Sequence, residues 1–178
     1  MASLIATACA KSEAKVELVG TIGDDAAGDA VTVDLARAGV GHAALLRLPG
    51  VATSTAGEVP GALTGSGPRL DAGDLDLGLR YLHDVRVIVV AELLPEELES
   101  IIVEAAAYAG AVIVAVAGPG TSVGAVMAEA ATVLEAPVAA LTPFAEMIGR
   151  YAAGLDAGAS PADAFAAATQ GAGWEPAG

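Results

Sequence analysis

Short apolar runs and longer segments with helical spacing follow one another along this chain. Val16, Leu18 and Val19 form the first apolar run, which predicts a buried strand. A glycine turn and two carboxylates, Asp24 and Asp25, come next, and either carboxylate can cap a helix. The apolar residues behind them recur on one helical face, which predicts a helix covering the strand: Ala27, Val31, Leu35 and Ala38.

The same alternation continues downstream and predicts a parallel sheet with helices on both faces. We therefore expect the α/β class, as a three-layer sandwich around a mostly parallel central sheet. The further predicted elements are a helix over 74–82 capped by Asp74, a strand over 85–90, a helix beginning at Pro95, a strand over 111–116, a helix from 123 to about 134, and a short helix capped by Ser160.

The length of 178 residues suits one domain over 1–178. Two parts of it fall outside the regular pattern. Residues 48–70 are rich in Gly, Pro, Ser and Thr and predict an irregular loop, and residues 171–178 predict a flexible tail.

Composition narrows the class of partner. The net charge is −14 and only 3% of residues are aromatic, which disfavours nucleic acid and anionic membrane surfaces. The longest apolar stretch, 105–117, is shorter than the ~20 residues that span a bilayer, so we expect a cytoplasmic protein. Cys9 is the only cysteine, and His42 and His83 stand alone, so we expect neither a disulfide nor a metal site.

Two loops contain candidate ligand-binding residues. Gly118, Gly120, Thr121 and Ser122 follow a predicted strand and open a helix, at the sheet edge where α/β folds bind small molecules or phosphate. The alternative is that Thr121 or Ser122 caps the helix and the glycines make the turn. In the irregular loop, the candidates for a sugar hydroxyl are Thr53, Ser54 and Thr55, with a solvated turn as the alternative.

One segment carries a family resemblance. Residues 19–28, Val-Gly-Thr-Ile-Gly-Asp-Asp-Ala-Ala-Gly, resemble the strand, Gly-x-x-Gly-Asp-Asp turn and helix start of ribokinase-like sugar kinases, the PfkB family. Residues 35–40 are similar to the Ala-Gly-Val helix end of that family. Residues 10–16 resemble the end of its first helix, although Glu13 stands where the family usually has Gly. The resemblance implies a ribokinase-like fold in reduced form, because the family's first strand would precede Ala2.

The resemblance also implies what catalysis would need. In the family, a Gly-Ala-Gly-Asp motif at a helix start provides N–H donors for the phosphate and an Asp as base. The matching residues here are 142–145, so Ala145 takes the base position and Pro143 has no N–H to donate. Glu146 is adjacent, but one helical residue turns a side chain by roughly 100°. After residues 131–137, the family's Asn-x-x-Glu metal motif and the strands of its adenine pocket have no counterpart.

We therefore interpret the chain as a catalytically degenerate ribokinase-like protein, with no cofactor, that serves as a binding, regulatory or assembly subunit. A homodimer or a protein partner is expected, with a small sugar or nucleoside as a candidate ligand. The alternative is an active carbohydrate or nucleoside kinase. It would take phosphate from ATP with Mg²⁺, use Glu146 as base and hold the phosphate at residues 118–122.

Overall fold

The computed structural model describes residues 1–54 and 69–170. Strands and helices alternate throughout, and helices lie on both sides of parallel strands, so the predicted α/β class is confirmed. The elements are α1 (Ala2–Lys11), β1 (Gly20–Gly23), α2 (Ala26–Arg37), β2 (Leu45–Leu48), α3 (Ala72–Tyr81), β3 (Val87–Val90), α4 (Glu96–Ala109), β4 (Val112–Ala117), α5 (Ala125–Ala130), β5 (Ala131–Glu135), α6 (Leu141–Asp156) and α7 (Pro161–Thr169).

The described strands form two parallel sheets, where the sequence predicts one central sheet. β1 pairs with β2, and β4 lies between β3 and β5 in a three-stranded sheet. Each strand has only four to six residues. The predicted tail over 171–178 and most of the predicted irregular loop lie outside the described residues.

The continuous apolar sequence of β4 is explained by the burial of both of its faces. Ile113 and Ala115 pack on one face of the sheet with residues of α4 and α5. Val114 and Val116 pack on the other face with residues of α1 and α6. Because both faces are covered, none of these four positions tolerates a polar side chain, and the period-2 alternation of a one-sided strand is absent.

Two element boundaries differ from the prediction because long-range pairing decides them. β1 begins at Gly20, so the predicted strand over 16–19 is wrong; there the structure has one isolated bridge, between Glu17 and Gly41. The helix predicted to reach about residue 134 is also wrong: α5 ends at Ala130, and Ala131–Glu135 pairs with β4 as β5.

Two helix ends are set by local chemistry. α3 is capped by Asp71, whose carboxylate accepts the Asp74 N–H at 2.8 Å, so the predicted cap at Asp74 is wrong by one turn. α7 is capped by Ser160 as predicted. Glu13, which stands where the resemblance has Gly, adopts a φ of 66° after α1. Across the described helices, none combines the length and the apolar character that crossing a bilayer requires.

Candidate functional site

Asp25 organises the turn between β1 and α2. It is the N-cap of α2, and its Oδ1 accepts the Gly28 N–H at 2.8 Å. The same Oδ1 accepts the Thr53 hydroxyl at 2.6 Å, and Oδ2 accepts the Thr53 N–H at 2.9 Å. The Thr53 Oγ1 in turn accepts the Gly23 N–H at 2.9 Å. The residue predicted to meet a sugar hydroxyl thus binds the chain's own helix cap.

These contacts lower the pKa of Asp25. The largest cause is the hydrogen bond from the Thr53 hydroxyl, followed by the N–H groups of Thr53 and Gly28, which together outweigh desolvation; Arg47 adds a smaller effect. Arg47 also forms ion pairs with Asp24 at 3.5 Å and Asp29 at 2.8 Å. The turn is therefore a closed network of polar groups.

We expect this network to make stability depend on pH. The folded-state pKa of Asp25 lies below its ordinary value of 3.8, so the ionised form stabilises the fold. That stability is present above the ordinary pKa and is lost as the pH falls through the lowered pKa. Urea unfolding from pH 6 to pH 2 should show a smaller loss of stability in Asp25→Asn than in the parent chain. Equal pH dependence in the two proteins would contradict the network.

The predicted phosphate loop, residues 118–122, lies between β4 and α5. Gly120 has a φ of 65°, which favours glycine, and its N–H donates to Glu135 Oε1 at 2.8 Å. Both the N–H and the hydroxyl of Thr121 donate to the Gly118 carbonyl, at 3.0 and 2.9 Å. Ser122 is exposed. Three of the donors that would hold an anion, the Gly120 N–H and the N–H and hydroxyl of Thr121, are therefore already paired within the chain.

Glu99 is a residue that the sequence analysis missed. It lies on α4, is 2% exposed, and its Oε1 accepts the Gly124 N–H at 2.9 Å, next to the same loop. Its Oε2 is buried and has no hydrogen-bond partner. A Cβ at position 124 would collide with this carboxylate, so a larger residue there would displace the Glu99 side chain. The sequence pattern that could have identified Glu99 as buried is its helical spacing, because Glu99, Ile102 and Ala106 share one helical face.

The start of α6 offers few free N–H donors over residues 143–145. Ala145 is 1% exposed and is the fifth residue of the helix, which starts at Leu141. The Phe144 N–H donates to the Ala140 carbonyl at 3.2 Å, and Pro143 has no N–H. Residues 142–145 therefore do not present a row of free N–H groups to a ligand.

Glu146 lies beside this helix start. It is exposed and lines a shallow groove between α1 and α6, together with Lys11 and Thr142. In the described ranges, no hydrogen bond or ion pair joins Glu146, Thr53 and residues 118–122. Thr55 lies outside those ranges. The same ranges contain no group of three or more His, Cys, Asp or Glu side chains arranged to hold a metal ion.

Comparison with solved structures bears on the fold. The crystal structure of Sa239 superimposes with a TM-score of 0.65, covering 99% of this chain and 82% of Sa239 at 13% sequence identity. The chain shares the fold of Sa239. At 13% sequence identity, this comparison shows a shared arrangement of helices and strands.

Two further matches are weaker. An apo-form ribokinase II from E. coli matches with a TM-score of 0.48 at 16% identity, and the chain spans 59% of its length. An ATP-bound fructokinase from Xylella fastidiosa matches with a TM-score of 0.42 at 16% identity, over 57% of its length. No family model and no curated protein sequence matches the chain.

Proposed function

We propose that this chain is a catalytically degenerate ribokinase-like protein that acts as a binding or assembly subunit in the cytoplasm. The observation that carries the proposal is the start of α6, where the base position implied by the family resemblance is the buried Ala145. A methyl group cannot accept the proton that a sugar hydroxyl loses during phosphoryl transfer. The one nearby carboxylate, Glu146, lies on the solvent side of the helix.

The surroundings of residues 118–122 support the same proposal. Phosphoryl transfer needs donors for the developing negative charge, whereas here the Gly120 and Gly124 N–H groups donate to Glu135 and Glu99. A phosphate at this loop would meet two carboxylates in place of free donors. Electrostatic repulsion therefore disfavours a nucleotide at this edge of the sheet.

An assay of ADP release tests this proposal. The purified chain is incubated with ATP, Mg²⁺ and a panel of sugars and nucleosides, and we expect no release above the rate without protein. The kinase alternative predicts turnover that Glu146→Gln abolishes and that Glu104→Gln, on the exposed side of α4, leaves unchanged. Turnover with that pattern would overturn the proposal.

A further inference from the structure

β5 leaves one edge of the three-stranded sheet open. Within the described residues it pairs with β4 alone. Val133, at its centre, is 39% exposed, and Thr132 beside it is also exposed. An open edge of this kind is a template on which another extended chain can add a strand.

The backbone at Val133 faces this open edge. The Ala136 N–H donates to the Ala117 carbonyl of β4 at 2.8 Å. In a parallel ladder, successive residues turn their N–H and C=O groups to opposite sides of the strand. Leu134 therefore faces β4 like Ala136, and the N–H and C=O of Val133 point away from the sheet.

The segment of sequence that contains β5 carries negative charges only. Residues 87–149 contain no lysine, arginine or histidine, so all eight lysines and arginines and both histidines lie outside this segment. Glu129, near the end of α5, and Glu135, the last residue of β5, are both exposed, so they precede and follow the strand along the chain; Glu135 Oε1 also accepts the Gly120 N–H at 2.8 Å. The glutamates in this stretch are Glu92, Glu96, Glu97, Glu99, Glu104, Glu129, Glu135 and Glu146.

We propose that the open edge of β5 binds an extended, basic segment of a partner protein, which adds a strand to the sheet. Backbone hydrogen bonds at Val133 would provide the pairing, and lysine or arginine side chains would meet Glu129 and Glu135. This inference rests on the proposed role as a binding subunit and names the chemistry of its partner.

A second copy of the chain fits this edge poorly. Two-fold symmetry about Val133 would pair the strands antiparallel and set Glu135 of the partner subunit opposite Ala131, two residues from Glu129. The like charges on both sides of such a pair repel each other. A basic strand removes this repulsion, which is why we favour it over a homodimer at β5.

Titration of the isotope-labelled full chain with a blocked peptide, Lys-Val-Thr-Val-Thr-Lys, tests the inference by NMR. Its lysines stand roughly 17 Å apart in an extended strand, at about 3.3 Å per residue. We expect the amide signals of residues 131–135 to shift, and the same peptide with glutamates in place of lysines to bind at least about fivefold more weakly. Added salt should weaken binding of the lysine peptide.

Two variants separate backbone pairing from charge. Val133→Pro removes the outward N–H while leaving the ladder to β4 intact, so it should abolish the shifts without unfolding the chain. Glu129→Lys should weaken binding of the lysine peptide by about fivefold and strengthen binding of the glutamate peptide. Glu129→Lys tests the inference independently, so the inference remains testable if Val133→Pro fails to fold.

Several results would overturn the inference: equal affinity for the two peptides, shifts confined to residues outside β5, no shifts at all, or a dimer that Val133→Pro dissociates. Each of these leaves the proposed absence of catalysis intact. Conversely, release of ADP would overturn the proposed function and leave binding at β5 standing.

Discussion

Gly149→Ala is expected to lower the free energy of unfolding by about 3 kcal/mol. Gly149 lies in α6 where that helix crosses α1, and a Cβ there would lie 2.5 Å from Ala8 Cβ and 2.8 Å from the Cys9 nitrogen. Two of the three nearest atoms belong to the α1 backbone and cannot rotate aside. α1 must therefore move away from α6, which loosens the core around Ile5 and Cys9.

Gly73→Ala is the matched control for this prediction. Gly73 is also a helix glycine, in α3, but it is exposed, and the nearest atom that its Cβ would meet is Asp71 Oδ1 at 3.4 Å. The higher helix propensity of alanine should raise stability there by up to about 1 kcal/mol. Urea unfolding followed by circular dichroism measures both variants. Equal effects of the two substitutions would show that α1 does not pack on α6 at Gly149.

Glu99→Gln is expected to raise the free energy of unfolding by about 2 kcal/mol. The Glu99 carboxylate is buried with one hydrogen bond, from Gly124, and its Oε2 has no partner. Glutamine keeps an oxygen for the Gly124 N–H and removes the buried charge. The remaining cost is one unpaired amide group, which is smaller than the cost of an unpaired charge.

Glu104→Gln is the control for Glu99→Gln, because Glu104 lies on the same helix but is exposed. Its effect should stay within about 0.5 kcal/mol. Thermal and urea unfolding at neutral pH measure the pair. A loss of stability in Glu99→Gln larger than that in Glu104→Gln would mean that the charge of Glu99 stabilises the fold.

The parts of the fold that the sequence predicts best are those with local signals. Asp25 and Ser160 cap helices where the sequence predicts caps, because a cap is a contact between residues three apart. β4 is recognisable because both of its faces are buried. The α/β class follows from the order of such elements and needs no long-range information.

Pairing between residues distant in the sequence determines the elements that the sequence analysis did not predict. Ala131–Glu135 continues the apolar spacing of α5, and only its pairing with β4 makes it a strand. Gly20–Gly23 has the composition of a turn and is a strand because it pairs with β2. The contact between Asp25 and Thr53 spans 28 residues, so nothing local in the sequence shows that this hydroxyl is already bound.

In the candidate site, too, some features can be read from the sequence and others depend on packing between distant residues. The family resemblance, drawn from the sequence alone, implies that Ala145 and Pro143 take the positions of a base and a donor. Glu135 accepts the Gly120 N–H of the predicted phosphate loop, and Glu99 accepts the Gly124 N–H just after that loop; both contacts depend on packing between α4, β5 and the loop. In the proposed function, the paired donors are the structural argument against a phosphate at residues 118–122.

Calorimetric titration of the chain with ATP and Mg²⁺ addresses the proposed loss of kinase chemistry most directly. We expect no heat of binding at millimolar nucleotide, with or without sugars and nucleosides in the cell. Saturable binding of one nucleotide per chain, together with ADP release that Glu146→Gln abolishes and Glu104→Gln leaves unchanged, would contradict the proposal and identify the chain as a kinase that uses Glu146.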